Sequence, residues 1–92
     1  MKKEIVYVVC EQTKSSVESP TFDVLLVTTD KDKAVKKVQQ NAKKLAKDYD
    51  IDLKNIDTDN WEVICNKPDN VEIYDYDYHE GFSTYIKAKT LN

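Results

Sequence analysis

Ninety-two residues with a net charge of −3 and 40% apolar content allow one domain with a modest core, and three glycines and prolines in total leave little room for linkers. All fourteen basic residues are lysine, so the chain lacks the guanidinium fork that reads guanine edges and grips phosphate, which disfavours sequence-specific DNA recognition. The six apolar residues between Glu4 and Glu11 are too few for a signal-peptide core or a membrane span, which predicts an intracellular, cytoplasmic chain with no membrane contact.

Residues 5–10 form an apolar, mostly β-branched run that predicts a first strand buried on both faces. The polar, proline-terminated stretch QTKSSVESP (12–20) predicts a flexible loop, and residues 21–29 a second strand antiparallel to the first. Thr29 or Asp30 then caps a helix over residues 30–49, with Asp32 in its first turn opposing the backbone dipole. Ala34, Val35, Val38, Ala42, Leu45, Ala46 and Tyr49 recur at three- and four-residue steps as one apolar stripe. Lys33, Lys36, Lys37, Lys43, Lys44 and Lys47 fill the rest of the surface. An acidic connector (50–60) follows, in which Ile51, Leu53 and Ile56 tuck against the fold. Residues 61–66 read as a third strand, KPDN (67–70) as a turn with proline second, and 71–78 and 82–89 as the last two strands. The expected fold is a single α+β domain over 1–92 of order ββαβββ, an antiparallel sheet with one amphipathic helix packed on one face.

The register of the last hairpin decides which side chains meet the helix. Gly81 suits the left-handed position of a three-residue loop (79–81), which predicts Tyr78 opposite Phe82, Tyr76 opposite Thr84 and Tyr74 opposite Ile86. The three tyrosines, Phe82, Ile86 and Ala88 then face the helix. The KPDN turn pairs Asn66 with Val71 and adds Trp61, Val63 and Cys65 to that face. The opposite face would hold Glu62, Ile64, Val71, Ile73, Asp75, Asp77, Ser83, Tyr85, Lys87 and Lys89, with Asp75 opposite Tyr85 and diagonal to Lys87. One helix cannot cover both sides of a five-stranded sheet. Ile64, Val71, Ile73, Asp75, Asp77, Tyr85 and Lys87 are therefore the predicted interaction face, for a protein partner or a second copy in a homodimer.

Signals for chemistry are weak. Asp75 and His79 sit four residues apart, about 13 Å along a strand, too far to share an ion, so Asp75, Asp77 and His79 read as a solvated strand face. Asp48, Asp50, Asp52 and Asp59 fall at positions one, three, five and twelve of a calcium loop, but Leu53 stands where its glycine must be. The chain has one histidine and neither a glycine-rich phosphate loop nor a nucleophile elbow. No catalytic residue, metal ligand or cofactor is expected, and Cys10 and Cys65 read as reduced strand residues.

Charge is segregated. Residues 48–80 hold eleven acids against Lys54 and Lys67, a net of −9, and the remaining twelve lysines and six acids give +6. The helix lysines named above are the alternative, nucleic-acid-binding face, although the acidic segment would repel a phosphate backbone. Conversely, the Tyr-Asp alternation can imitate a charged polymer, as nucleic-acid-mimicking inhibitors do.

The succession of YVVCEQ, FDVLLVTTDKDKAVKKV, WEVI and STYIKAKTL resembles short uncharacterised proteins of low-GC Gram-positive bacteria and their phages. In those, a strand ending in a threonine and an acidic cap feeds one helix and then a small meander. The resemblance implies an intracellular α+β domain encoded by a mobile element, and it transfers no functional residue. The leading expectation is a non-catalytic protein-interaction module.

Overall fold

The computed structural model describes residues 4–15, 19–75 and 77–91. Its elements are β1 (Glu4–Lys14), β2 (Thr21–Thr28), α1 (Lys31–Asp48), β3 (Glu62–Lys67), β4 (Asn70–Asp75) and β5 (Glu80–Leu91), the ββαβββ order of an α+β fold. The five strands form one antiparallel sheet in the order β2-β1-β5-β4-β3. β1 and β5 are thus its central pair, in register from Glu4 opposite Leu91 to Lys14 opposite Gly81. β1 continues through Lys14, so part of the predicted 12–20 loop is strand, and residues 16–18 lie outside the described residues.

Local chemistry sets both ends of α1. Asp30 is the N-cap, its Oδ1 accepting from the Asp32 and Lys33 N–H groups at 3.0 and 3.3 Å, while the Thr28 hydroxyl accepts from the Asp30 N–H at 3.0 Å. The helix stops in a Schellman motif. The Ile51 N–H donates to the Ala46 carbonyl at 2.7 Å and the Asp50 N–H to the Lys47 carbonyl at 3.1 Å, with Asp50 in the left-handed region at φ 57°. Ile51 is buried against Ala46, the apolar contact that accompanies this motif.

α1 packs on β1, β2, β4 and β5 through Ala34, Val38, Asn41, Ala42, Leu45 and Ala46. The core beneath it is divided. Ala34 and Val38 join Val9, with Tyr7, Leu25, Leu26 and Ile86 around them. Ala42, Leu45 and Ala46 join Ile51, Val71, Ile73 and Phe82, with Tyr49, Leu53, Ile56 and Trp61 packed alongside. The connector residues Ile51, Leu53 and Ile56 do tuck against the fold. Between the two clusters lie Asn41 on the helix and Thr84, which alternates between Phe82 and Ile86 on β5. Both are buried, and Asn41 Nδ2 and Thr84 Oγ1 have no hydrogen-bond partner.

The β4–β5 register differs from the predicted one. Phe82 pairs with Ile73, five residues short of Tyr78, and Asp75 pairs with Glu80 across a four-residue turn. An odd offset exchanges the faces of β4. Val71, Ile73 and Asp75 therefore lie on the helix side, and Tyr74 on the other. Tyr76, the middle tyrosine of the predicted face, lies outside the described residues. Three features explain the choice. Asp75 closes the turn, its Oδ1 accepting from the Asp77 and Tyr78 N–H groups at 3.0 and 3.3 Å. His79, and not Gly81, takes the left-handed position, at φ 54°. Valine and isoleucine also fill the space under Ala42 and Ala46 without a hydroxyl that needs a partner, as tyrosine would. Gly81 serves close approach: a Cβ there would stand 2.4 Å from the Ile73 carbonyl oxygen and 2.7 Å from Tyr74 Cδ2.

Both edge strands carry a bulge. Leu25 is the extra residue of β2, so Leu25 and Leu26 both reach the helix side, and Ile64 is the extra residue of β3. The KPDN turn pairs Asn66 with Val71 as expected, but beyond Ile64 the register slips, which puts Val63 opposite Ile73.

Candidate functional site

The predicted interaction face does not survive as one surface. Val71 and Ile73 are 1% and 0% exposed beneath α1, and Asp75 is buried at the helix-side end of β4. Asp75 faces neither Tyr85 nor Lys87, because Tyr85 pairs with Asn70. Tyr85 and Lys87 do lie on the uncovered face, Asp77 is exposed in the β4–β5 turn, and Ile64 is half exposed at its bulge.

The surface that α1 leaves open has a different composition. Val24 pairs with Cys10, Phe22 with Gln12 and Val27 with Val8, so Phe22, Val24 and Val27 stand on the uncovered side of β2 beside the half-buried Val8 of β1. They are 54%, 52% and 60% exposed. Toward the other edge the face turns polar, with Lys87, Tyr85, Glu72, Tyr74 and Glu62. The Lys14 ammonium lies 5.4 Å from the Tyr74 ring centre and the Lys87 ammonium 6.0 Å from that of Tyr85. Burial, followed by the neighbouring Cys10 and Glu72, raises the Tyr85 hydroxyl above its ordinary pKa. Cys10 and Cys65 are free, on β1 and β3. Two strands separate them, a span of roughly 14 Å at ordinary strand spacing, well beyond the reach of a disulfide.

Lys33, Lys36, Lys43, Lys44 and Lys47 are exposed on the outer surface of α1, and Lys37 is partly buried. The acidic connector is built from tight turns in which aspartates cap their own backbone. Asp52 Oδ1 accepts from the Lys54 N–H at 3.0 Å, and Asp57 Oδ1 from the Asp59 N–H at 3.1 Å. Each of these carboxylates thus holds a backbone amide two residues further along the chain. Among the described residues no three histidine, cysteine or carboxylate side chains come together around a point where an ion could sit, and no helix is long and apolar enough to cross a membrane.

Sequence reasoning missed one concave region. Where α1 ends, Tyr49, Trp61 and Tyr78 line a cleft of about 610 Å³ with five carboxylates and no lysine. Tyr49 is fixed by its hydroxyl donating to the Gly81 carbonyl at 3.2 Å and by its ring, 5.6 Å from that of Phe82 and 6.0 Å from that of Trp61. The only advance signal was the alternation of aspartate with apolar residues in DYDIDL (48–53), which keeps carboxylates outward while the chain wraps the core. Comparison with protein-family models, with curated proteins and with solved structures found no match.

Proposed function

We propose that the protein is a cytoplasmic, non-catalytic protein-interaction module that works through the sheet face opposite α1. The observation that carries this reading is the exposure of Phe22, Val24 and Val27 on one continuous side of β2 and β1. They present roughly 300 Å² of apolar side chain, the scale of the largest patch on a typical monomer. The face runs from this apolar edge to a polar, charged side toward β3, and interfaces combine apolar and polar area in this way.

The test is sedimentation velocity from tens of micromolar to millimolar, with affinity capture by wild-type and Val24→Asp baits beside it. We expect a reversible dimer, or a captured protein, that Val24→Asp abolishes while circular dichroism shows an unchanged fold. A strict monomer whose captured proteins are the same for both baits would remove the reading. Ile73→Asp, which the sequence alone would have selected, tests nothing here, because it places a charge under α1.

A further inference from the structure

We infer that the aromatic cleft at the C-terminal end of α1 is a binding site for a lysine- or arginine-bearing peptide segment. Three elements build it: the end of α1 supplies Tyr49, the connector supplies Trp61, and the β4–β5 turn supplies Tyr78. The Tyr49 and Trp61 rings stand at 85° to each other with centres 6.0 Å apart, so they form a corner with two differently directed π surfaces. Asp50, Asp52, Asp57, Asp75 and Glu80 surround that corner.

Asp75 is the informative carboxylate. It is about nine-tenths buried, lines the cleft, and is held in place by the Asp77 and Tyr78 N–H groups that donate to its Oδ1. A carboxylate fixed in position at the cleft wall suits a cationic donor arriving from outside. Aromatic walls with carboxylates fit a side chain that is apolar along its stem and cationic at its head, since the stem lies on the rings and the head reaches the acids. A bare metal ion has no use for the aromatic corner.

A second cleft of about 490 Å³ shares Asn60, Trp61 and Asp75 with the first and continues past Trp61 to Asp59, Glu62 and Asp77. Two acidic clefts joined at one indole suit successive side chains of an extended chain better than a single small amine. The site is independent of the sheet-face reading, because β2 is at the opposite edge of the sheet from β3.

Trp61 is the chain's only tryptophan, so its emission reports the site directly. The probe is an acetylated, amidated hexapeptide alternating arginine and glycine, with a glutamate–glycine peptide and spermidine as comparisons. We expect a saturable change in emission with the arginine peptide alone. With a fluorescent copy of that peptide, Trp61→Leu and the more exposed Tyr78→Ser should each weaken binding at least tenfold by anisotropy, at unchanged net charge and unchanged circular dichroism. Three results would overturn the inference: no saturation at millimolar peptide, affinity retained in folded Tyr78→Ser and Trp61→Leu, which would mean diffuse attraction to the acidic segment, or spermidine binding as tightly as the peptide.

Discussion

Thr84→Val should make the protein more stable. Thr84 is fully buried in the middle of the sheet, between the two halves of the core, and its hydroxyl has no partner. An unpaired buried polar group costs about 1–3 kcal/mol, and the methyl that replaces it contributes a burial gain of up to about 0.8 kcal/mol. Valine is also β-branched and nearly the same shape, so neither the strand nor the packing is disturbed. Allowing for partial relaxation around the hydroxyl, the expected gain is about 1–2 kcal/mol. For a domain of this size each kcal/mol raises Tm by roughly 4–8 °C. Urea titration and thermal unfolding of the two proteins measure it, with Asn41→Ala and the double variant completing a cycle. A Thr84→Val protein less stable than wild type by more than about 0.5 kcal/mol would refute the reasoning, because it would mean that the hydroxyl is bonded in solution.

Asp50→Gly should stabilise by about 0.5–1 kcal/mol in the same titration, since glycine takes the left-handed position after α1 without the strain of a side chain. Gly81→Ala should destabilise by about 2–3 kcal/mol, because its Cβ meets the Ile73 backbone oxygen, which cannot swing away as a side chain can. The Tyr85 hydroxyl should ionise above the ordinary tyrosine range in a spectrophotometric titration, a component missing in Tyr85→Phe. With its pKa raised in the folded state, its contribution to stability is complete below about pH 10 and is lost as pH rises through the folded value, so wild type should lose more stability there than Tyr85→Phe.

What could be read from the chain was what neighbouring residues decide among themselves. The Asp30 cap, the apolar stripe from Ala34 to Ala46 and the proline turn at 67–70 depend on contacts a few residues apart, and each stands where the sequence put it. The register of β4 against β5 is settled elsewhere, by what fits beneath the alanines of α1. Gly81 pointed to the wrong loop because its small size serves the approach of Tyr74, not a backbone twist. Adjacent leucines at 25 and 26 both turning inward break the alternation from which a face is read, as does Ile64 on β3. The open face was expected as a feature and keeps Tyr85 and Lys87, but Val71, Ile73 and Asp75 lie beneath the helix instead, and the aromatic cleft was invisible because Tyr49, Trp61 and Tyr78 are brought together only by the connector's path.

The pairing of the first strand with the last governs how the chain can be made. β1 leaves the ribosome early, yet the strand that occupies its inner side, β5, is the last element of the sheet to emerge. Until then β1, β2 and α1 hold half a core, and β4 lacks the neighbour that sets its register. Closing a loop of this length costs entropy before the contacts are gained, so the final step of folding is long-range and slow. Apolar strands wait exposed meanwhile, a state in which nascent chains meet chaperones or one another. Deleting β5 would therefore not trim a rim. It would take out the middle of the sheet and leave two fragments, β2-β1 and β4-β3, with no strand to join them.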